Sequence, residues 1–165
     1  MNLEIERKFL LKSIPDIDPY ETIRIEQIYM KISNIWERVR YCQYKNTNQN
    51  KWIHTIKKSV SKGINMEDEK EISESDFIEF KNKAEIDKYS RSIFKTRYLF
   101  KTSDNLYWEV DEFHNGYKLI IAEIEIPNME YKIETPDYIS ELILMEVTGL
   151  KQFSNKSLSI KNNKI

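Results

Sequence analysis

Charged and apolar residues alternate along the first ten positions of the chain. Glu4, Glu6 and Lys8 alternate with Leu3, Ile5, Arg7 and Phe9, which are mostly apolar. Because successive side chains of a β-strand point to opposite faces, this spacing places two carboxylates and an ammonium in one row. A half-buried strand normally turns its polar row to bulk water, but this row mixes both signs of charge and similar rows recur along the chain. We therefore expect the rows to face each other inside a closed sheet, in a polar tunnel for a multiply charged ligand and its metal ions.

Period-two alternation predicts strands along most of the sequence. Beyond the first strand they are Arg24–Lys31, Asn34–Tyr44, Trp52–Val60, Met66–Ile72, Ser92–Lys101, Asn105–Phe113 and Lys118–Ile126. Helical spacing predicts one helix over Asp76–Asp87, capped by Ser73 or Ser75, that packs outside the sheet. Thr135 opens a second, short helical stretch, with Pro136 suited to its first turn.

About eight strands with hairpin spacing can close on themselves, which removes the sheet edges and encloses a lumen. The expected fold is mainly β (α+β): a closed, eight-stranded antiparallel barrel with a few helices packed outside. We expect one domain over residues 1–165, with a polar, frayed tail from about residue 159.

Composition narrows the classes of function. The 26 Lys and Arg residues are balanced by 27 Asp and Glu residues, so the net charge of −1 gives no reason to expect DNA as a partner. No apolar run approaches the roughly 20 residues of a membrane-spanning helix. The single cysteine, Cys42, and the lack of a leader before the charged strand indicate a cytoplasmic location. Three glycines are few for glycine-rich phosphate loops, so side chains must hold any phosphate.

The charged rows point to phosphate and metal chemistry. The basic candidates are Lys8, Arg38, Arg40, Lys57, Lys95 and Arg97, and the acidic ones are Glu4, Glu6, Glu67, Glu69, Asp111, Glu123 and Glu125. Arginine binds phosphoryl oxygens through two hydrogen bonds, whereas carboxylates would repel a polyphosphate unless they bind a hard cation such as Mg²⁺. Metal-assisted phosphoryl transfer is the expected chemistry. For any single strand, a solvated outer face with salt bridges is the simpler interpretation, but recurrence over five or six strands favours a site.

The motifs that carry these rows resemble one protein family along nearly the whole chain. The first is Glu4-Ile5-Glu6-Arg7-Lys8, an E-x-E-x-K pattern. The others follow in order: Arg38-Val39-Arg40, Thr55-Ile56-Lys57, Glu67-Asp68-Glu69, Lys95-Thr96-Arg97-Tyr98, Asp111, Ala122-Glu123-Ile124-Glu125, and Glu146-Val147-Thr148-Gly149 with Ser154-Asn155. Together they resemble the short bacterial members of the CYTH superfamily, also called triphosphate tunnel metalloenzymes.

The resemblance implies an eight-stranded antiparallel tunnel that binds a triphosphate together with Mg²⁺ or Mn²⁺. The residues that it implies for substrate binding are Lys8, Arg38, Arg40, Lys57, Lys95 and Arg97. Those that it implies for metal binding are Glu4, Glu6, Asp111, Glu123 and Glu125. Glu67 and Glu69 would lie near a second metal or the attacking water, and together with Lys8 they are the candidate catalytic residues.

The chain departs from the family pattern at three places. Asn65-Met66 stands where many relatives have an arginine, Leu150 replaces a charged residue, and Phe153 replaces a tyrosine. These differences concern a C-terminal gate or the far end of the substrate and leave the core site intact.

Three functions are compatible with the resemblance. The favoured one is a metal-dependent triphosphatase, most simply one that converts inorganic tripolyphosphate to pyrophosphate and phosphate, although a nucleoside or thiamine triphosphate would fit the same clamp. A class IV adenylate cyclase, which makes cyclic AMP from ATP, shares the metal and phosphate residues. A binding module without turnover is the third. The protein is expected to be a monomer or a homodimer.

Four further polar residues receive no firm role. His54 is offset by one position from the charged row of its strand and is expected on the outer face. Cys42 is expected to be a packed thiol, because neither a histidine nor a second cysteine completes a nucleophile or zinc site. Glu71 and Glu109 share the inward parity of their strands, but lie near strand ends, so each is equally compatible with the rim and with a ligand role.

Overall fold

The computed structural model describes residues 1–116 and 118–161. Its strands are β1 (Asn2–Leu11), β2 (Glu21–Ile32), β3 (Ile35–Tyr44), β4 (Asn50–Ser61), β5 (Ile64–Ile72), β6 (Arg91–Lys101), β7 (Tyr107–Phe113), β8 (Leu119–Glu125), β9 (Ile143–Glu146) and β10 (Ile160–Lys161). Its helices are α1 (Glu74–Ile86), α2 (Asp137–Ser140) and α3 (Asn155–Leu158), and a 3₁₀ turn spans Lys151–Phe153.

Eight of these strands close into a barrel. They follow the order β2-β3-β4-β5-β1-β8-β7-β6, and β6 pairs again with β2, so the sheet has no free edge at this ring. Every pairing is antiparallel. The predicted closed eight-stranded antiparallel barrel is therefore confirmed. The two remaining strands lie outside the ring: β9 pairs with β1, and β10 pairs with β6.

The tight turns set the register that aligns the charged rows. Ser33 and Asn34 adopt positive φ angles of 48° and 65° between β2 and β3, as two-residue hairpin turns require. Gly63 turns β4 into β5 at a φ of 73°, and a Cβ there would lie 2.7 Å from the carbonyl oxygen of Glu6. The amide of Glu6 donates to the carbonyl of Gly63 at 2.8 Å. This close approach, which suits a residue without a side chain, holds the E-x-E-x-K strand against the β4–β5 turn.

Helix α1 packs on the outside of the barrel, as its periodicity predicts. Ser73 accepts a hydrogen bond from the amide of Asp76 and forms a capping box with it, so the helix begins at Glu74, two residues before the predicted start. Phe77 and Ala84 are buried against Ile28 and Val39, on the outer faces of β2 and β3. This apolar contact covers one side of the sheet and leaves the inner face to the charged rows.

Two other apolar clusters lie close to the charged rows. On the outer side of β1, β7 and β8, Phe9, Trp108 and Ile124 pack with Ile139 of α2. At one end of the lumen, Ile93, Phe113 and Ile121 pack with Phe153 and Leu158 of the C-terminal segment. The second cluster closes that end of the barrel.

The C-terminal third departs most from the sequence prediction. Strand β9 was not predicted, and Pro136 precedes the first turn of α2 as its N-cap rather than lying in it. Ile160 and Lys161, at the start of the predicted polar tail, pair with Ser92 and Arg91. The rest of that tail, residues 162–165, lies outside the described residues. No helix in the described part of the chain is both long and apolar enough to cross a membrane.

Candidate active site

The charged rows of the barrel strands face one lumen. Directly opposed residues on neighbouring strands share a face of the sheet. The register opposes Lys8 to Glu123, Arg97 to Asp111 and Lys57 to Glu67, so charges of opposite sign meet across three different strand pairs. The same parity puts Glu4, Glu6, Arg38, Arg40, Glu69, Lys95 and Glu125 on this inner face. The structure thus brings together all the predicted site residues, and their individual roles stay predictions.

We call the group formed by Lys95, Arg97, Glu109 and Asp111 the β6–β7 corner. Lys95 and Asp111 are its most deeply buried charges. Lys95 Nζ donates to Asp111 Oδ2 at 2.8 Å, and Arg97 donates through Nε to Asp111 Oδ1 at 2.7 Å. Arg97 Nη1 also lies 2.6 Å from Glu109 Oε2. Burial lowers the pKa of Lys95 to about 8. Burial alone would raise the pKa of Asp111, but the positive charges of Arg97 and Lys95 hold it well below its usual range. Asp111 is therefore ionised, and both of its carboxylate oxygens accept hydrogen bonds.

Lys8 lies beside this corner and has two oxygen partners. Its Nζ is 3.1 Å from Glu123 Oε1 and 3.3 Å from the backbone carbonyl of Phe153. Although burial opposes ionisation of Glu123, the charge of Lys8 lowers the pKa of this carboxyl to about 2. Lys8 and Glu123 form a charged pair at the end of the lumen that Phe153 closes.

A second group, formed by Glu4, Glu6, Lys57 and Glu67, is wetter, and we call it the β1–β4–β5 corner. Lys57 Nζ lies 2.9 Å from Glu4 Oε2 and 3.6 Å from Glu6 Oε1. The third carboxylate, Glu67, is 3.8 Å from the same nitrogen. Burial, reinforced by the negative charge of Glu123, raises the pKa of Glu6 to about 8. Burial and the charge of Glu4 raise that of Glu67 to about 7. One ammonium is thus shared among three crowded carboxylates.

The two arginines of β3 meet Glu69 on β5. Arg40 donates to Glu69 Oε2 at 2.7 Å, and Arg38 lies 3.8 Å from the same oxygen. Thr55 also donates to it at 3.2 Å. Among the described residues, the Nε groups of Arg38 and Arg40 are buried without a hydrogen-bond partner. Buried donors of a charged group without a partner suit an anion with several oxygens.

The structure also shows where the remaining polar residues named in the sequence analysis lie. Glu109 faces the lumen through its contact with Arg97, whereas Glu71 is exposed. Glu125 opposes Glu6, and the residue as a whole is exposed. Partial burial of its carboxyl group, together with the charge of Glu4, raises its pKa. His54 Nε2 lies 2.6 Å from Glu37 Oε2. His54 opposes Val39 in the register, so the two side chains share the outer face of the barrel. The prediction that His54 lies on the outer face is confirmed, and Cys42 is buried beside Ile25 as expected of a packed thiol.

Sequence reasoning missed a brace that holds β1 from the C-terminal segment. The amide of Lys8 donates to Thr148 Oγ1 at 2.9 Å, and the amide of Val147 donates to the carbonyl of Lys8 at 2.8 Å. Glu146 accepts hydrogen bonds from Thr148 and, through both carboxylate oxygens, from Arg7. The E-V-T-G motif was recognised only by resemblance. Its contacts give it a physical purpose, which is to fix the position of Lys8.

The carboxylates of the β1–β4–β5 corner fit a divalent cation. Every donor is an oxygen, as hard cations prefer. The pKa values of Glu6 and Glu67 are raised first by burial and then by neighbouring carboxylates, and a bound cation would favour the ionised form of both. Within the described residues, no three acidic, histidine or cysteine side chains form a ready-made metal cluster. Instead, Lys57 lies between the carboxylates, and a cation that bound there would compete with its ammonium.

Comparisons with known proteins agree with this geometry. No family model matches the chain. An inorganic triphosphatase from Acetivibrio thermocellus is 29% identical over 167 residues, which cover 98% of this chain and 96% of that protein. The crystal structure of the inorganic triphosphatase NE1496 has a TM-score of 0.58 at 26% identity, over 96% of this chain and 95% of that one. Both of these relatives are inorganic triphosphatases, and each is similar to this chain over nearly its whole length.

The CYTH resemblance that the motifs predicted is thereby confirmed. A third structure, of a putative adenylyl cyclase from Hippeastrum described as having a dominant triphosphatase activity, shares the CYTH fold with a TM-score of 0.55. It is 17% identical, over 76% of this chain and 80% of that one, so it supports the fold alone. CYTH triphosphatases depend on divalent metal ions, in agreement with the oxygen donors of the lumen.

Proposed function

We propose that this chain is a divalent-metal-dependent phosphohydrolase that cleaves inorganic tripolyphosphate to pyrophosphate and phosphate inside its lumen. The observation that carries the proposal is the convergence of six basic side chains from four strands on one lumen that carboxylates also line. Nearly full-length similarity to the inorganic triphosphatase of Acetivibrio thermocellus supports the same substrate class.

The basic residues would bind the triphosphate. Arg38 and Arg40 offer their unpaired Nε groups to phosphoryl oxygens, and the planar guanidinium allows two hydrogen bonds to one phosphoryl group. Lys8 and Lys95 add point charge at the closed end of the lumen, and Lys57 adds it on the wetter side. Each of these cations is paired with a carboxylate, so substrate binding replaces some of these pairs with contacts to phosphate.

The acidic residues would hold the cation, for which we propose Mg²⁺ or Mn²⁺. Glu4 and Glu6 with Glu123 and Glu125 are the proposed ligands. When bound, the metal would act as a Lewis acid that neutralises charge on the phosphoryl oxygens. Asp111 was also predicted to bind metal, and this stays a prediction. Its oxygens already accept hydrogen bonds from Lys95 and Arg97, so its contacts favour orienting these two cations.

Glu67 and Glu69 are the proposed residues for orienting the attacking water. Glu69 is held by Arg40 and Thr55, whereas Glu67 has only the 3.8 Å contact with Lys57 among the ion pairs of the described residues. Glu67 also has a hydrogen bond with Glu69, which helps to raise its pKa, and we propose it as the residue that accepts a hydrogen bond from water. Lys8 is the third candidate, since its ammonium could stabilise charge that develops on the leaving phosphate.

A substrate panel tests the function. Purified protein is incubated with Mg²⁺ or Mn²⁺ and with tripolyphosphate, ATP, GTP or thiamine triphosphate, and phosphate, pyrophosphate and cyclic AMP are measured. We expect tripolyphosphate to give the highest kcat/KM, and chelation by EDTA to stop the reaction. Cyclic AMP as the main product from ATP would favour a cyclase. Binding of tripolyphosphate without turnover over hours would favour a binding module.

The assembly and location of the protein belong to the same proposal. We propose a cytoplasmic monomer or homodimer that acts on a small triphosphate and binds neither DNA nor membranes. Light scattering after size-exclusion chromatography measures the mass in solution, and cell fractionation measures the location.

A further inference from the structure

The C-terminal segment places two uncharged oxygens on the two lysines at the closed end of the lumen. Phe153 contributes its backbone carbonyl to Lys8 at 3.3 Å. Asn155 contributes its side-chain carbonyl oxygen, Oδ1, to Lys95 Nζ at 3.0 Å. Both contacts cross from the end of the sequence to a strand that carries a substrate-binding motif.

Lys95 depends on this contact more than the other basic residues do. Its side chain is only 1% exposed, so bulk water does not satisfy its three N–H donors. Its other hydrogen-bond partner is Asp111, whose oxygens also accept hydrogen bonds from Nε and Nη2 of Arg97. The ring of Phe113 lies 5.7 Å from the ammonium and adds a weaker attraction. Asn155 therefore gives the ammonium a second oxygen acceptor, in addition to the Asp111 carboxylate that it shares with Arg97.

Asn155 is itself held firmly. The hydroxyl of Ser154 caps the turn by accepting from the amide of Ser157 at 3.2 Å. Arg91 donates to Ser159 Oγ at 3.0 Å, and Asn115 donates to the carbonyl of Leu158 at 2.8 Å. Phe153 and Leu158 pack on the apolar end of the lumen. These contacts hold the segment on both sides of Asn155, and the position of its side-chain amide is therefore fixed.

The neutrality of this partner has a chemical consequence. A carboxylate would orient Lys95 equally well, but it would cancel its charge and repel a polyphosphate. An amide oxygen orients the ammonium and leaves its charge available to an anion. We propose that Asn155 is a positioning residue, which holds Lys95 through a neutral acceptor so that its charge is directed at a phosphoryl group at the closed end of the lumen. This inference rests on the proposed triphosphatase function.

Three variants separate this role from simple structural support. Asn155→Leu keeps the size of the side chain and removes the acceptor, whereas Asn155→Asp keeps the acceptor and adds a negative charge. Asn115→Leu is the matched control, because it removes another anchor of the same segment without touching a lysine. Tripolyphosphate is titrated into each protein by calorimetry in EDTA, and kcat and KM are then measured with saturating Mg²⁺.

We expect Asn155→Leu to weaken tripolyphosphate binding and lower kcat/KM about 10- to 100-fold, because it loses a hydrogen bond to a charged group. Asn155→Asp should keep the native melting temperature and still bind tripolyphosphate at least about 10-fold more weakly. Asn115→Leu should change affinity and KM less than about 2-fold, even if its melting temperature falls.

The outcomes separate the two proposals. If the native protein neither binds nor hydrolyses tripolyphosphate, the proposed function is wrong and the role of Asn155 falls with it. If the native protein is active and Asn155→Leu binds and turns over tripolyphosphate normally, the positioning role is wrong and the function stands. Equal losses in Asn155→Leu and Asn115→Leu would also contradict positioning, because they would show that only anchoring of the segment matters.

Discussion

The two corners of the lumen hold their charges in different ways. In the β6–β7 corner, the side chains of Lys95 and Asp111 are 1% and 3% exposed, and each charge has close partners of opposite sign. In the β1–β4–β5 corner, Lys57 is 32% exposed and shares one positive charge among Glu4, Glu6 and Glu67. In the first corner, two cations face two carboxylates, and water reaches mainly Glu109, which is 36% exposed. In the second corner, three carboxyl groups face one ammonium, and water reaches Lys57.

This difference separates residues that hold the site from residues that respond to a ligand. A buried pair is costly to break, because the remaining charge is left without a partner and away from water. A group with more carboxyl groups than cations can bind a metal ion, and the displaced ammonium remains free to contact phosphate. We therefore expect substitutions in the two corners to affect stability and activity in opposite proportions.

The largest effect on activity is expected in the β1–β4–β5 corner. Glu4→Gln or Glu6→Gln should abolish turnover, because each removes a proposed metal ligand. The melting temperature in EDTA should stay level or rise, since the change also relieves repulsion among the carboxylates. Phosphate release and thermal unfolding measure the two effects. A large loss of stability with activity retained would show that this row is structural.

The β6–β7 corner should show the largest effect on stability. Asp111→Asn leaves Lys95 and Arg97 buried without a full counter-charge, and breaking a buried pair of this kind costs about 3–5 kcal/mol of the free energy of unfolding. Urea denaturation in EDTA measures the loss. Glu112→Gln, on the outer face of the same strand, is the control and should change the free energy of unfolding by less than about 0.5 kcal/mol. An Asp111→Asn protein as stable as the native one would remove the distinction between the corners.

The phosphate contacts and the metal ligands should separate by kinetics. Arg40→Ala removes a charge-assisted contact worth roughly 1.5–3 kcal/mol, so kcat/KM should fall about 10- to 150-fold even at saturating metal. Glu123→Gln or Glu125→Gln should instead raise the metal concentration for half-maximal rate, and excess metal should partly restore activity. Arg24→Ala, on the outer parity of β2, is the control for lost charge. Rescue of the arginine variant by metal, without rescue of the glutamate variants, would reverse the assigned roles.

The least specific effect is on the stability of the protein in EDTA as the pH changes. The pKa values of Glu6 and Glu67 are raised to about 8 and about 7, above the unfolded value of 4.5, so the native state holds protons that the unfolded state releases. The free energy of unfolding should therefore fall as the pH rises from about 5 to 7.5, by at most about 1.4 kcal/mol per pH unit for each proton. Glu6→Gln should flatten this slope. A free energy of unfolding that rises with pH over this range would contradict the raised pKa values of Glu6 and Glu67.

The strand rows could be predicted from the sequence, because side-chain parity is a local property of a strand. Lys57, for example, had to share a face with Thr55 wherever the strand lay. The contacts of Asn155 and the brace from Thr148 could not be predicted in this way, because they depend on where the C-terminal segment returns to the barrel. Strand β9 was missed for a related reason: four residues carry too little periodicity to reveal a strand.

The brace between the two ends of the sequence also affects the order in which the protein is built. The amide of Lys8 donates to the hydroxyl of Thr148, a residue that is synthesised 140 positions later. Contacts of such long range form late, since a long loop must close before they contribute. A nascent chain that has left the ribosome only as far as β8 would contain every charged motif of the lumen, but Lys8 and Lys95 would lack the oxygens of Phe153 and Asn155. The lumen would therefore be completed only when the segment from Thr148 to Asn155 has been made.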